Sequence, residues 1–176
     1  YLDHIVIQQG STALSFDSAT ILLPNKKAGR KLAYHTSPIS GKVLLRDIAK
    51  AFAPPLNCFS IPLELKVTLS GTDSTMQFND IHLNTLNQEL QIAAKGDIVH
   101  LREKEKLKLR FHVNKMITNG LTAKRIIDQF TVKKYMMRQL VKLGAISYTG
   151  DFDIFHKRER FWGLLSSTSS PESVTK

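Results

Sequence analysis

The sequence predicts a mainly β protein whose antiparallel or helically coiled strands repeat along the chain. Three observations carry that expectation. Apolar and polar residues alternate over much of the chain, which places every second side chain on one strand face. A short glycine-centred motif recurs, and only two stretches show helical spacing. The 176 residues, 42% of them hydrophobic, suit one domain or a slice of a longer chain and exclude wholesale disorder. No apolar run approaches the length of a membrane-spanning helix. The single cysteine, Cys58, excludes an internal disulfide framework and a cysteine-rich zinc site.

Taken in order, Ile5 and Ile7 between polar neighbours mark a first strand. The chain starts at Tyr1 inside that strand, so a fragment is expected. Leu44–Phe52 (LLRDIAKAF) has apolar residues at helical spacing, and Pro54 and Pro55 end it. Leu63, Leu65, Val67 and Leu69 then share one strand face, with Glu64, Lys66 and Thr68 on the other. The same period returns in Met76–Phe78, Ile81–Leu83, Leu90–Ala94, Leu107–Val113, Ile146–Tyr148, Phe152–Ile154 and from Phe161 onward. Thr122–Leu143 breaks it with helical spacing, Thr122 serving as N-cap and Gly144 as C-cap glycine. The Met136/Met137 pair in that stretch suits core packing. Residues 1–165 are thus expected to form one repeating β segment, with helical interruptions near 44–52 and 122–143. Ser166–Lys176, rich in Ser and Thr, is expected to be a flexible tail.

The recurring motif is an apolar residue, one spacer, glycine, and a polar residue opening a new strand. It appears around Gly41, Gly71, Gly96 and Gly150, at separations of 30, 25 and 54 residues. Recurrence on this scale marks units that bury a face only by stacking on a neighbour. Glycine at strand bends is common, so an ordinary β-sandwich is the alternative.

Signatures of catalysis are missing. The six histidines show neither HExxH nor HxH spacing, and there is no P-loop, GxGxxG or GxSxG. His82 and His112 fall on polar strand faces. Asp151 and Asp153 share a face near Lys157, Arg158 and Arg160, which suits surface ion pairs better than paired catalytic carboxylates. The chain is expected to be a non-enzyme without metal or cofactor.

The formal charge of +10 is concentrated: residues 101–160 hold 15 Lys and Arg against 6 Asp and Glu. Arg102, Lys104, Lys106, Lys108 and Arg110 alternate with other residues and would share one strand face. Such a stripe could bind polyanions or a partner protein. The plainer interpretation is a solvated face whose cations guard a sheet edge. A specific nucleic-acid reader is not expected, because the aromatics fall mostly on the apolar faces.

The run LELKVTLSGTDSTMQFNDIHLNT (Leu63–Thr85), followed by LQIAAKGDI (Leu90–Ile98), resembles the repeating unit of the AsmA-like/TamB family. These are large envelope proteins of bacteria with two membranes. LRDIAKAFAPPL and TAKRIIDQF…MMRQLVKLGAISYTGDF resemble the short helices that interrupt the strands in the Bacteroidetes branch of the family. The resemblance covers Pro38–Leu165. It implies an internal segment of an elongated sheet, curled into an open apolar groove with two or three short helices. It further implies a periplasmic location, with the full-length protein anchored in the inner membrane through parts outside this segment. The implied function is phospholipid transport between the membranes or outer-membrane biogenesis, with acyl chains and an outer-membrane assembly protein as partners. Candidate groove residues are Leu63, Leu65, Val67, Leu69, Met76, Phe78, Ile81, Leu83, Leu90, Ile92, Leu107, Leu109, Phe111 and Val113. The alternative is that they fill the closed core of an ordinary β domain.

Overall fold

Apolar alternation is realised as ten strands that join in one antiparallel sheet. The computed structural model describes residues 1–47, 59–129, 142–155 and 158–169. The strands are β1 (Leu2–Gln9), β2 (Thr12–Leu22), β3 (Ala33–Thr36), β4 (Ile39–Leu44), β5 (Pro62–Thr72) and β6 (Thr75–Thr85). They continue with β7 (Gln91–Val99), β8 (Lys108–Asn119), β9 (Leu143–Phe155) and β10 (Arg158–Ser169). Neighbours in sequence are neighbours in space, except that β3 and β4 lie end to end between β2 and β5. They act as one strand interrupted at Ser37–Pro38. β1 and β10 are the two edges, so the sheet is open.

The pairing is irregular at one level of the sheet, and the irregularities line up. β6 carries an extra residue around Asp80, whose φ is +49°, and β8 carries one around Asn114. Ser37 and Pro38 are the corresponding interruption between β3 and β4. On β2 the inward positions change from Leu14 and Phe16 to Ala19 and Ile21, and on β1 the ladder skips His4, at φ +49°. Strands β5 and β7 pass the same level without changing parity. An inserted residue bends its strand and raises local twist, so this line is a crease across the sheet. Apolar residues along it are buried: Ala19, Ile39, Val67 and Ala94. No second sheet lies over them among the described residues.

Side-chain hydroxyls take over where the crease interrupts the ladder. Ser37 Oγ accepts from the amides of Asp17 and Ser18, both at 3.0 Å. Thr36 Oγ1 accepts from the Leu69 amide at 3.1 Å and donates to its carbonyl at 3.4 Å. Thr149 Oγ1 donates to the carbonyl of Asn114 at 3.3 Å. Each keeps a backbone group satisfied that the bend would otherwise strand.

A second buried zone lies beside one rim. Val43, Phe59 and Leu63 form its centre, with Leu45, Ile61, Leu65, Leu83 and Ile126 against them. Ile126 comes from helix α1 (Gly120–Ile127), which packs against β8 and β9. Thr12 Oγ1 accepts from the buried Leu44 amide at 2.9 Å, and Asp47 accepts from the Ser11 amide at 2.9 Å, tying the first hairpin to this zone.

Several boundaries differ from the sequence expectation. The N-cap of α1 is Asn119, whose side chain accepts from the Thr122 amide at 2.8 Å; Thr122 sits in the first turn and donates instead to Glu89 Oε2 at 2.6 Å. Gly144 is not a C-cap: it belongs to β9, packed against Thr168 of β10. Ser166, Ser167 and Ser169, assigned to a flexible tail, pair with Ser147, Ile146 and Leu143 in β10. Strands β2, β3 and β4 were not foreseen, nor was the short 3-10 turn Lys26–Ala28, capped by Asn25 and ended by Gly29 at φ +64°. Residues 48–52 of the expected first helix, 130–141 of the second with Met136 and Met137, and 170–176 of the tail lie outside the described residues.

Replacing Thr36 by Val is expected to cost about 1–2 kcal/mol, because it leaves the Leu69 amide without its acceptor. Thr20→Val, on an exposed position of β2, should stay within about 0.5 kcal/mol of the parent. Urea unfolding of both variants measures the difference.

Candidate functional site

Inward side chains from neighbouring strands meet across the register, and one line of partners spans the whole sheet. It runs Ile7, Leu14, Gly41, Leu65, Leu83, Ile92, Met116, Tyr148 and Leu165, each the register partner of the next. Nine strand positions at about 4.8 Å spacing make a path of roughly 38 Å. No charged residue interrupts it. Beyond the crease a second line runs Leu69, Phe78, Gly96, Phe111 and Phe152, and a third contains Tyr34, Gly71, Met76, Ile98 and Leu109. The two sides of the crease are the two limbs of one apolar face.

Twelve of the fourteen candidate groove residues lie in strands on that face, Leu90 immediately precedes β7, and Leu107 precedes β8, beyond the last register pair, Val99↔Lys108. Leu63, Val67 and Leu90 are buried. The other eleven, Leu65, Leu69, Met76, Phe78, Ile81, Leu83, Ile92, Leu107, Leu109, Phe111 and Val113, are half-buried. A closed β core would bury nearly all of them; a flat, uncovered sheet would expose them. Half-burial is the condition of side chains that shelter one another across a bend.

The recurring glycines share this face. Gly41, Gly71, Gly96 and Gly150 all occupy inward positions, joined by Gly163 opposite Gly150. Aromatic rings lie over three of them. The Phe111 ring would come within 2.2 Å of a Cβ on Gly96, Tyr34 within 2.7 Å of one on Gly71, and Tyr148 within 2.5 Å of one on Gly150. Phe78 reaches across Gly96 to Phe111, with ring centroids 5.8 Å apart. Tyr34 and Tyr148 donate their hydroxyls to the carbonyls of Thr75 and Trp162, at 3.3 and 3.2 Å. Burial raises the Tyr34 pKa above its ordinary value, keeping that hydroxyl a donor. The rings therefore lie along the floor of the face instead of standing up from it, an arrangement that glycine alone permits.

The basic stripe is not a strand face. Arg102, Lys104 and Lys106 lie in turns between β7 and β8, and only Lys108 and Arg110 are in β8. The ladder stops at Val99↔Lys108, and His100 turns the chain with φ +62°. Most of the five cations also have acidic neighbours. Arg102 meets Asp73 at 3.3 Å, Lys106 meets Glu103 at 2.5 Å, and Lys108 meets Asp153 at 3.9 Å. Arg110 forks onto Asp97, which raises the guanidinium pKa further. The Glu103 carboxyl is held below its ordinary range by the hydrogen bond and charge of Lys106, helped by His100.

The outer face of the sheet is polar and cross-paired. A depression of about 500 Å³ is lined there by Gln77, Lys95, Asp97, Arg110, His112 and Asp151, among others. His112 Nδ1 lies 2.8 Å from Asp151 Oδ1. Asp151 and Asp153 do share this face, and they pair with His112 and Lys108 of β8; Lys157 lies outside the described residues. Among the described residues no group of three or more His, Cys, Asp or Glu could hold a metal ion, and no helix is long and apolar enough to cross a membrane.

The groove candidates did not include the inward residues Leu14, Tyr34, Tyr148 and Leu165 of β2, β3, β9 and β10, although the alternation of Ile146–Tyr148 was visible in the sequence. They also left out Met116, because the extra residue at Asn114 reverses parity after Val113. The signal was present in the switch from odd apolar positions (Leu109, Phe111, Val113) to even ones (Met116, Thr118).

Gly96→Ala is expected to destabilise the fold by about 1–3 kcal/mol, since the added methyl meets the Phe111 ring and the Arg110 carbonyl. Combining it with Phe111→Leu should cost less than the two changes separately. Denaturant unfolding of the double-mutant cycle reads that coupling.

No family model, no curated protein and no solved structure matches this chain.

Proposed function

We propose that the creased apolar face is a binding surface for lipid acyl chains, and that the chain is a groove segment of an AsmA-like/TamB envelope protein. Its role in that setting is phospholipid transport between two membranes, or outer-membrane biogenesis. The observation that carries this reading is the uninterrupted line from Ile7 to Leu165. It has the length, chemistry and continuity that an extended hydrocarbon requires, and it runs across the strands instead of ending in a pocket. Each methylene taken from water onto such a surface contributes about 0.8 kcal/mol. Half-buried side chains on both limbs leave apolar area to cover, while the aromatic rings lying over the glycines keep the floor low. Helix α1 and Phe59 cover the rim near Val43 and Leu63. The described residues of the face are almost all apolar, which suits binding of hydrocarbon.

The test is photolabelling of the purified chain by a phospholipid carrying a diazirine on its acyl chain. Crosslinks are expected on peptides containing Leu69, Leu83, Ile92 or Met116. Ile92→Asn should reduce labelling about fivefold or more, while His82→Asn, on the opposite face, should leave it unchanged. Thermal unfolding of each variant separates lost binding from lost structure. Absence of labelling on the parent chain, or equal labelling of both faces, would overturn the proposal.

A further inference from the structure

Eight strand ends meet at one rim of the sheet, beyond the crease, and most of the charge there is positive. They follow one another in register as Leu22↔Ala33↔Thr72 and, after the turn at Asp73 and Ser74, Thr75↔Val99↔Lys108↔Phe155↔Arg158. At about 4.8 Å spacing they make a rim of roughly 34 Å. Over residues 23–32, 73–74, 100–108 and Arg158 it holds nine Lys and Arg against three acidic residues. Two of those acids are taken, Asp73 by Arg102 and Glu103 by Lys106. Positive charge is densest between β2 and β3. That loop carries Lys26, Lys27, Arg30 and Lys31, all exposed, and no acidic residue. None of the four is in an ion pair among the described residues. The loop is ordered by its own bonds. Asn25 Oδ1 accepts from the amides of Lys27 and Ala28 at 3.1 and 3.3 Å, and the backbones of Asn25 and Arg30 bond each other in both directions at 2.8 and 2.9 Å. The third apolar line reaches this loop. Ile21 is the register partner of Tyr34, so the line begins at Ile21, 43% exposed, and Leu22 and Leu23 carry exposed apolar surface up to the loop. On the opposite rim charges pair with one another: Lys124 with Asp128 at 2.6 Å and Arg125 with Glu89 at 4.0 Å.

We infer that this rim holds the phosphate of an anionic phospholipid whose acyl chain lies on the apolar face, with the β2–β3 loop as its principal seat. The inference rests on the reading of that face as an acyl-chain surface and adds to it the class of lipid. A phosphate drawn onto the apolar face would lose its water without gaining a partner, so the headgroup has to leave the face at a rim. At the basic rim it gains lysine and arginine donors while the chain keeps its contact with Ile21, Met76, Ile98 and Leu109. At the opposite rim it meets Phe59 and helix α1 packed over Val43 and Leu63. A zwitterionic headgroup carries its own ammonium, which the same cations repel; a headgroup of net negative charge carries nothing to cancel the attraction. The cations are exposed and screened by salt, so each contact is weak and reversible. They also line a rim that runs parallel to the apolar rows. A headgroup therefore passes from one loop to the next as its chain moves along a row, instead of being locked at a single point.

Photolabelling of the whole chain by two lipids with the same diazirine acyl chain tests it: phosphatidylglycerol and phosphatidylcholine, each in micelles of a neutral detergent. Phosphatidylglycerol is expected to label the apolar-face peptides about fivefold or more above phosphatidylcholine. Lys26→Glu/Lys27→Glu/Lys31→Glu should remove that preference without lowering the phosphatidylcholine labelling, which also shows that the variant keeps its fold. Lys42→Glu/Lys66→Glu/Lys95→Glu alters three exposed lysines of the outer face and changes the net charge equally; it should keep the preference. Glycerol phosphate, which has the headgroup chemistry without the chain, should not displace the lipid when present in excess. Labelling by neither lipid overturns the proposed function and this inference with it. Equal labelling by both overturns the inference and leaves the function standing. The inference also falls if the preference survives the rim variant, if the outer-face variant abolishes it as well, or if glycerol phosphate displaces the lipid, which would make the rim a site for free phosphate esters.

Discussion

Among the described residues no second sheet backs the apolar face, and the sheet that carries it is creased. Strands β1, β2, β6 and β8, and the junction between β3 and β4, each take up one extra residue at the same level. Aligned bulges turn what would be a flat ribbon into two limbs facing one another. The buried apolar side chains of Ala19, Ile39, Val67 and Ala94 line that bend. Larger groups there would hold the limbs apart, and polar ones would lose water without gaining a partner. Hydroxyls of Thr36, Ser37 and Thr149 keep the interrupted ladder satisfied, so the bend leaves few backbone groups unpaired.

Glycine and aromatic residues then decide what the bent face can hold. Leucine or valine at positions 71, 96 and 150 would fill the space between the limbs and convert the face into an ordinary core. Glycine leaves it open, and the rings of Tyr34, Phe111 and Tyr148 cover the exposed backbone without adding height. The cost of glycine's backbone freedom in a strand, about 0.5–1 kcal/mol each, is offset by ring burial and by the hydroxyl bonds of the two tyrosines. Stability and an accessible apolar floor are in this way obtained from the same residues.

The sequence made the face legible and the crease illegible, for one physical reason. Alternation identifies inward residues locally, and the twelve groove candidates that lie in strands occupy one face. A bulge resets the parity, so Met76–Phe78 and Ile81–Leu83 looked like two short strands where β6 is one bent strand. Across Asn114 the same reset hid Met116. The first forty-four residues were harder because their inward positions include Gly41, Ala19 and Thr36, and because β2 changes parity midway. Helix signals failed for a different reason: both Asn119 and Thr122 can cap, and Thr122 has a better use in its bond to Glu89. The glycine recurrence was visible, whereas the rings that cover each glycine come from positions that only the register brings together.

The same register explains why a chain of formal charge +10 does not present a cationic sheet face. On an antiparallel sheet a charged side chain sits directly opposite its partner on the next strand, where opposite signs attract and like signs repel. Asp97, Arg110 and Asp153 occupy consecutive positions of one outer line, and His112 and Asp151 occupy adjacent positions of the next. Their side chains are partly exposed, so each pair adds little to stability. Their larger effect is to specify register: slipping β8 by one residue against β7 would bring Lys108 and Arg110 toward the apolar face and carry Leu109 and Phe111 into water. The charges of the outer face thus serve the inner one, holding in line the rows whose continuity gives the apolar path its length.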